Sequence, residues 1–341
     1  MNSSNIGISC NGAIRLGRDV TCDGFVHGYA YRVQTHIHDD HMSHFDTSKG
    51  FQTIIMSHAT RSLLELRHSD MPYRTNIIAL PIDGTYRDSD IEIELKSSSH
   101  MLGAVQVAVT TKEGYRLGYS GDFSWPLDDV IKVESLVVDS TYGSPNSVRR
   151  YSQEDANDFF REMVVKKIKS GPIIVKAHRG TLHRALELLE GLVQCPVIAS
   201  KKKIDEAKVY ERYGYCFCPL MELESPDARK LRREGSYIEL HYLGDQMLFG
   251  RGDITTITLT ASWAHGDYPI LEVSDSSCQI AISDHADFNE TLQYIRETGA
   301  KYVLTDNIHG EHAPELAIAI TSKLGIKAEP AKPVYSRAWG I

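Results

Sequence analysis

The stretch Thr35-His36-Ile37-His38-Asp39-Asp40-His41 decides the reading of this chain. It closes the run YAYRVQT (29–35), whose composition predicts a strand. Side chains of an extended chain alternate, so His36 and His38 point to one side. Past the strand end the backbone can turn and bring Asp40 and His41 towards a second position. Imidazole together with carboxylate suits zinc, and also manganese or iron. The chain holds 15 histidines, so single ones carry no signal. The H-x-H-x-D-H spacing at a strand end does.

A metal centre of this kind needs further donors at other strand ends, and the sequence supplies them. His100 follows IEIELKSSS, Asp122 follows YRLGYSG, and His285 follows CQIAISD. Together they add a third histidine, a bridging carboxylate and a last histidine. Asp139 ends another apolar run, ESLVVD.

Around these points the chain alternates short apolar runs with helical patterns. Strands are predicted over 52–57, 76–82, 91–97, 104–111, 115–119 and 135–139, and a helix over 59–68. Glu113-Gly114 reads as a hairpin turn. From 153 helices (153–170, 181–192, 202–213) alternate with strands (172–178, 195–200), which predicts a small parallel sheet. The pattern over 214–250 resolves into no clear element. Strands 254–261, 278–283 and 301–306 and helices 289–298 and 312–324 follow. The organisation expected is a β-rich first part, an inserted α/β segment and a return to the first domain.

The stretches THIHDDH, SSHMLGAVQV, GYSGDF, VVDSTYG and ISDHADF, spread in this order over residues 35–288, resemble the metallo-β-lactamase superfamily nucleases of the β-CASP group. The DSTYGSP stretch and the SDHADF-N motif are most similar to the ligase-associated, Artemis-like DNA exonucleases. The resemblance implies an α/β fold, a four-layer αββα metallo-β-lactamase sandwich with an inserted β-CASP-like cap. Residues 1–144 would form the first part of the sandwich, 145–262 the cap, and 263–341 the rest. By the same resemblance His36, His38 and His100 would hold one divalent ion. Asp40, His41 and His285 would hold a second, and Asp122 would bridge them. Zn2+ is the expected metal, with Mn2+ as the alternative. Asp139 would orient a ligating histidine. His265, in TASWAHGDY, lies where the family often carries another histidine, and His309, in DNIHGEH, matches a family His-Gly near the site. These two are the candidate general acids. Lys176, His178 and Arg179, at a strand end before a helix, are candidate phosphate contacts.

Composition bounds the rest. The chain has 341 residues with 42% hydrophobic and 24% charged, which is globular. No apolar run approaches the roughly 20 residues of a membrane span. The start MNSSNIGISCNG has no basic-then-apolar signal. Six scattered cysteines without CxxC spacing predict reduced thiols in a cytoplasmic protein and no zinc knuckle. The net charge of −8 gives no global basic footprint for nucleic acid. Local clusters at Lys166, Lys167 and Lys169 and at Lys201, Lys202 and Lys203 are basic nonetheless. Three expectations follow: a two-metal DNA exonuclease in repair or an RNA-processing nuclease of the same group, with single-stranded DNA or RNA as substrate, and a small-molecule metallo-hydrolase or a silent scaffold. The full set of ligands argues against a scaffold.

Overall fold

The structure, a computed structural model, describes residues 5–245, 253–262 and 267–332. It is a mixed α/β chain with three multi-stranded sheets and eight α-helices among the described residues. The chain divides into two compact units, Met1–Ser147 with His285–Ile341, and Val148–Asp284.

The first unit begins with β1 (Ile6–Ile8), β2 (Ile14–Leu16), β3 (Val20–Cys22) and β4 (Tyr31–Gln34). It continues through α1 (Phe45–Ser48), β5 (Thr53–Ser57), α2 (His58–Glu65), β6 (Ile77–Leu80), β7 (Thr85–Arg87), β8 (Ile91–Ser97), β9 (Val105–Thr111), β10 (Arg116–Tyr119) and β11 (Ser135–Val138). The second unit runs α3 (Gln153–Lys167), β12 (Ile173–Ala177), α4 (Arg179–Leu189), β13 (Val197–Ala199), α5 (Lys201–Arg212), β14 (Leu220–Glu222), α6 (Pro226–Glu234), β15 (Ile238–Tyr242), β16 (Thr255–Leu259), β17 (Ile270–Ser274) and β18 (Ser277–Ile280). The chain then returns to the first unit with α7 (Phe288–Thr298), β19 (Tyr302–Thr305), α8 (Ala313–Ala319) and β20 (Lys327–Pro330).

The first unit holds a six-stranded sheet in plain chain order, β1 to β6, and a seven-stranded sheet in the order β20-β19-β11-β10-β9-β8-β7. One apolar core draws on both. Ile14, Val33 and Ile55 come from the first sheet, and Ile93, Val107, Leu117 and Val137 from the second. The alternation in β8 and β9 explains this: their inward residues are aliphatic and their partners polar or small.

Strand direction gathers the functional residues. β3 and β4 are parallel, so Asp23 and His36 leave the same edge of their sheet. β10, β11 and β19 are parallel neighbours, so the segments leading to Asp122, Asp139 and Asp306 leave one edge of theirs. β9 is antiparallel to both β8 and β10, so β8 also ends at that edge, just before His100. Gly103 holds the turn after His100 at φ +80, with Thr60 N only 2.6 Å from where a Cβ would stand.

The sheet of the second unit has the order β14-β13-β15-β12-β16-β18-β17 and is parallel except for the β17–β18 hairpin. The segment 214–250, unreadable in the sequence, contributes β14, α6 and β15. Here α6 carries an Arg/Lys-rich sequence and packs few apolar residues, chiefly Ala228 and Leu231, so no apolar run announces it. The sequence reading returned to the first domain at 263. The second unit instead runs to Asp284, because β18 pairs with β16 and extends that sheet. Helix α3 opens on a capping box, Ser152 with Asp155, and α7 on another, Asp287 with Glu290.

Candidate metal centre

Beyond β4 the chain stays extended through His36 and His38, then winds into a short 3-10 turn, Asp39–His41. That turn brings His41 back beside His36, ring centroids 4.2 Å apart. The buried strand beneath is polar on alternate positions. Arg32, fully buried, donates to Gln34 Oε1 and to the carbonyl oxygens of Ser43 and His41. Gln34 Nε2 donates to the carbonyl oxygens of His36 and His41. These bonds fix the loop that carries the histidines.

Asp122 is the centre of the arrangement, 6% exposed. Its carboxylate oxygens lie 3.5 Å from His36 Nε2, 3.3 Å from His41 Nε2, 3.6 Å from His100 Nε2 and 3.9 Å from His285 Nε2. His38 Nδ1 lies 3.1 Å from His100 Nε2. His36, His38, His100 and Asp122 can offer donor atoms all within 4.8 Å of one another, and so can Asp122, Asp139 and His285. Asp40 belongs to no such group; its Oδ2 comes within 3.6 Å of His41 Nε2 and its side chain is 61% exposed.

Behind the nitrogens stand carboxylates. His41 Nδ1 donates to Asp23 Oδ2 at 2.9 Å. His285 Nδ1 donates to Asp139 Oδ2 at 3.0 Å. His309 Nδ1 donates to Asp306 Oδ2 at 2.7 Å, and its ring stacks on His41 at 4.6 Å and 22°. In each pair the carboxylate engages Nδ1 and so fixes the orientation of the ring. Asp23, His36 and His41 also form a possible three-donor group. Asp23, however, already accepts from Thr35 N, Thr35 Oγ1 and Gln34 Nε2, so we assign it the role of holding His41.

The electrostatics follow the packing. Burial holds His36 well below its usual pKa, aided by neighbouring His41. Burial also opposes charge on His41, but Asp122 and Asp23 outweigh it and raise its pKa. Asp122, whose burial favours the neutral acid, is kept well below the carboxylate range by His41, His36 and His285. Burial opposes charge on His309 too, and Asp306 overcomes it, raising the pKa.

This donor set suits a transition metal. His36 Nε2 and His41 Nε2 are buried and make no hydrogen bond, although both face Asp122. Imidazole nitrogens around one carboxylate, those of His41 and His285 backed by an acid, are the ligands that zinc and manganese take. These His and Asp groups could bind metal ions.

His36, His38, His41, His100, Asp122, His285 and Asp139 are thus brought together, with His309 alongside. His265 lies outside the described residues. Lys176, His178 and Arg179 belong to the second unit. His178 is exposed and precedes α4. Arg179 is committed to buried Glu206, 3.1 Å away, and lies over the Tyr242 ring. Lys203 pairs with Asp245 at 2.6 Å. Asp23 and Asp306 were missed in the sequence. The signal for both was the one that marked Asp139, an apolar run closed by an aspartate: VTCD and YVLTD.

Comparison with known proteins sets this geometry in context. No family model matches the chain. A protein of Acidianus ambivalens, described as an uncharacterized protein in the lig 3′ region, is 32% identical over 128 residues, 37% of this chain and 91% of that protein. The two belong to one family. A probable DNA ligase of Opitutus terrae is 24% identical over 291 residues, 81% of this chain. The chain spans only 26% of that ligase's length. Among solved structures, a protein of unknown function from Enterococcus faecalis V583 shares the fold, with a TM-score of 0.63 and 12% identity over 90% of this chain and 80% of that one.

Proposed function

We propose that this chain is a metal-dependent nuclease of the metallo-β-lactamase superfamily, β-CASP group, acting as a DNA exonuclease in repair in the cytoplasm. The observation that carries the reading is the convergence of four imidazoles, from three separate stretches of chain, on the buried carboxylate of Asp122. Two sheets sharing one core are consistent with the αββα sandwich, and the second unit occupies the place of the cap in the chain. Similarity to a probable DNA ligase and to a protein of the lig region favours DNA over RNA. The ligase activity itself does not pass to this chain, which matches a minor part of that protein. Among the described residues no helix is long and apolar enough to cross a membrane.

His36, His38 and His100 would hold one divalent ion, and His41, His285 and Asp40 a second, with Asp122 between. Zn2+ or Mn2+ there would supply Lewis acidity and neutralise charge on a phosphodiester. The protein's own share is orientation. Asp23 and Asp139 hold the rings of His41 and His285 with Nε2 inward. His309, fixed through Nδ1 by Asp306, presents Nε2 as the group that would give a proton to the leaving sugar oxygen. The buried floor of Arg32 and Gln34 keeps the loop from relaxing.

The test is incubation of the purified protein with Mn2+ or Zn2+ and end-labelled single-stranded DNA and RNA of one sequence. Stepwise shortening of the DNA from one end is expected. A metal-loaded protein that leaves both polymers intact overturns the reading.

A further inference from the structure

We propose that Cys195 and Cys218 of the second unit form a dithiol that closes reversibly to a disulfide, a modification site apart from the metal centre. The strands β13 and β14 pair in parallel, Val197 opposite Leu220, Ile198 opposite Met221 and Ala199 opposite Glu222. Continued two residues before the paired strands, through Pro196 and Pro219, that register would set Cys195 opposite Cys218, and Cys195 is among the groups that act on the Cys218 thiol. Neighbouring strands lie about 4.8 Å apart. The Cα separation a disulfide accepts is roughly 4.4–6.8 Å.

The direction of the side chains agrees. Val197 and Leu220 pack into one core, while Ile198 and Met221 pack into another cluster on the opposite face. Cys195 and Cys218 lie against the same core as Val197 and Leu220, so the two thiols share a face. Both are half-buried, while Cys216 is exposed.

Burial raises both thiols, Cys218 up to about 11 with Glu190 and Cys195 adding to the effect. They therefore rest protonated at neutral pH, so the thiolate that starts the reaction is a small fraction and closure is slow. Closure needs a two-electron oxidant, and a hydroperoxide serves. One thiol, losing its proton, attacks the peroxide; the O–O bond breaks, water or an alcohol leaves, and the sulfur becomes a sulfenic acid. The second sulfur attacks the first, the S–O bond breaks, water leaves and the S–S bond forms. Two thiols have then given two electrons and two protons to the peroxide. The link would tie the lead-in of β13 to that of β14 and enclose α5.

The experiment is oxidation of the full chain with hydrogen peroxide, unfolding, alkylation of remaining thiols, and peptide mapping without reductant. We expect two of the six cysteines to escape alkylation, in one peptide pair joining Cys195 to Cys218, and dithiothreitol to restore both. Cys216→Ser should leave the link intact, and Cys195→Ser should abolish it. Alkylation of all six thiols after oxidation overturns the proposal, as does a link that runs through Cys216 or joins two molecules.

Discussion

His41 Nδ1 donates to Asp23 Oδ2 at 2.9 Å, and neither side chain is exposed. Asp23 sits at φ +57, a left-handed conformation that Asn also tolerates. Asp23→Asn therefore removes the charge while keeping the backbone. Affinity for zinc should fall about 10–100-fold, the usual cost of losing a group that orients a ligand. Competition against a chromophoric chelator measures it. Unchanged affinity would show that His41 needs no such support.

Asp122 faces four imidazoles, so its loss removes the one acid they share. Asp122→Ala should abolish hydrolysis and lower bound metal, with circular dichroism unchanged. Dialysis of the unaltered protein against a strong chelator should silence it in the same way, and zinc or manganese should restore it. Activity that survives thorough metal removal ends the nuclease reading.

His309 is expected to act on substrate rather than on the metal. His309→Gln retains a donor for Asp306, so the fold and metal content should hold. Turnover should drop roughly 100-fold or more, the range for a lost general acid. Equal losses of metal and turnover would instead assign His309 to the support of His41, on which it stacks.

The histidine pattern was legible because four donors crowd one strand end; period-two alternation directs His36 and His38, and a turn past the strand end directs Asp40 and His41. Asp122, Asp139 and His285 were legible by their place after apolar runs. Asp23 and Asp306 obey the same rule, but each follows its strand with no motif beside it, where nothing separates it from a turn residue. Arg32 and Gln34 were hidden for another reason. Polar residues at alternate positions normally mark a solvent face, and here that face is buried against the loop they brace. Arg179 reads in sequence as a phosphate contact, and only the fold reveals Glu206 beside it.

Gly103 offers a test of how the turn after His100 is held. Its φ is +80, and a Cβ would stand 2.6 Å from Thr60 N and 2.7 Å from Ser57 Oγ. Its carbonyl oxygen accepts from Ser57 Oγ at 2.7 Å and Thr60 Oγ1 at 3.0 Å. Gly103→Ala should cost about 1–3 kcal/mol from the strained conformation alone. Denaturant unfolding reads this, and wild-type stability would contradict the crowding.

The second unit carries its own pH dependence. His183 is buried, stacked on Tyr210 at 3.9 Å, with Arg179 and Glu206 as its charged neighbours. Burial lowers its pKa to about 4, against about 6.5 in an unfolded chain. Between those values the unfolded chain takes up a proton that the folded one refuses. Stability should fall as pH drops from about 6.5 to about 4, by on the order of 3 kcal/mol, and this contribution should not deepen further below. His183→Phe should flatten that part of the pH profile of thermal unfolding. An unaltered slope would assign the effect to other groups.

The bond from His285 Nδ1 to Asp139 Oδ2 joins residues 146 positions apart. Closing so long a loop is slow, since its entropy must be surrendered before any contact compensates. The last imidazole beside Asp122 therefore arrives late in folding. A nascent chain can shape the THIHDDH loop well before His285 is made, so the set of donors around Asp122 is assembled only after the second unit has been synthesised.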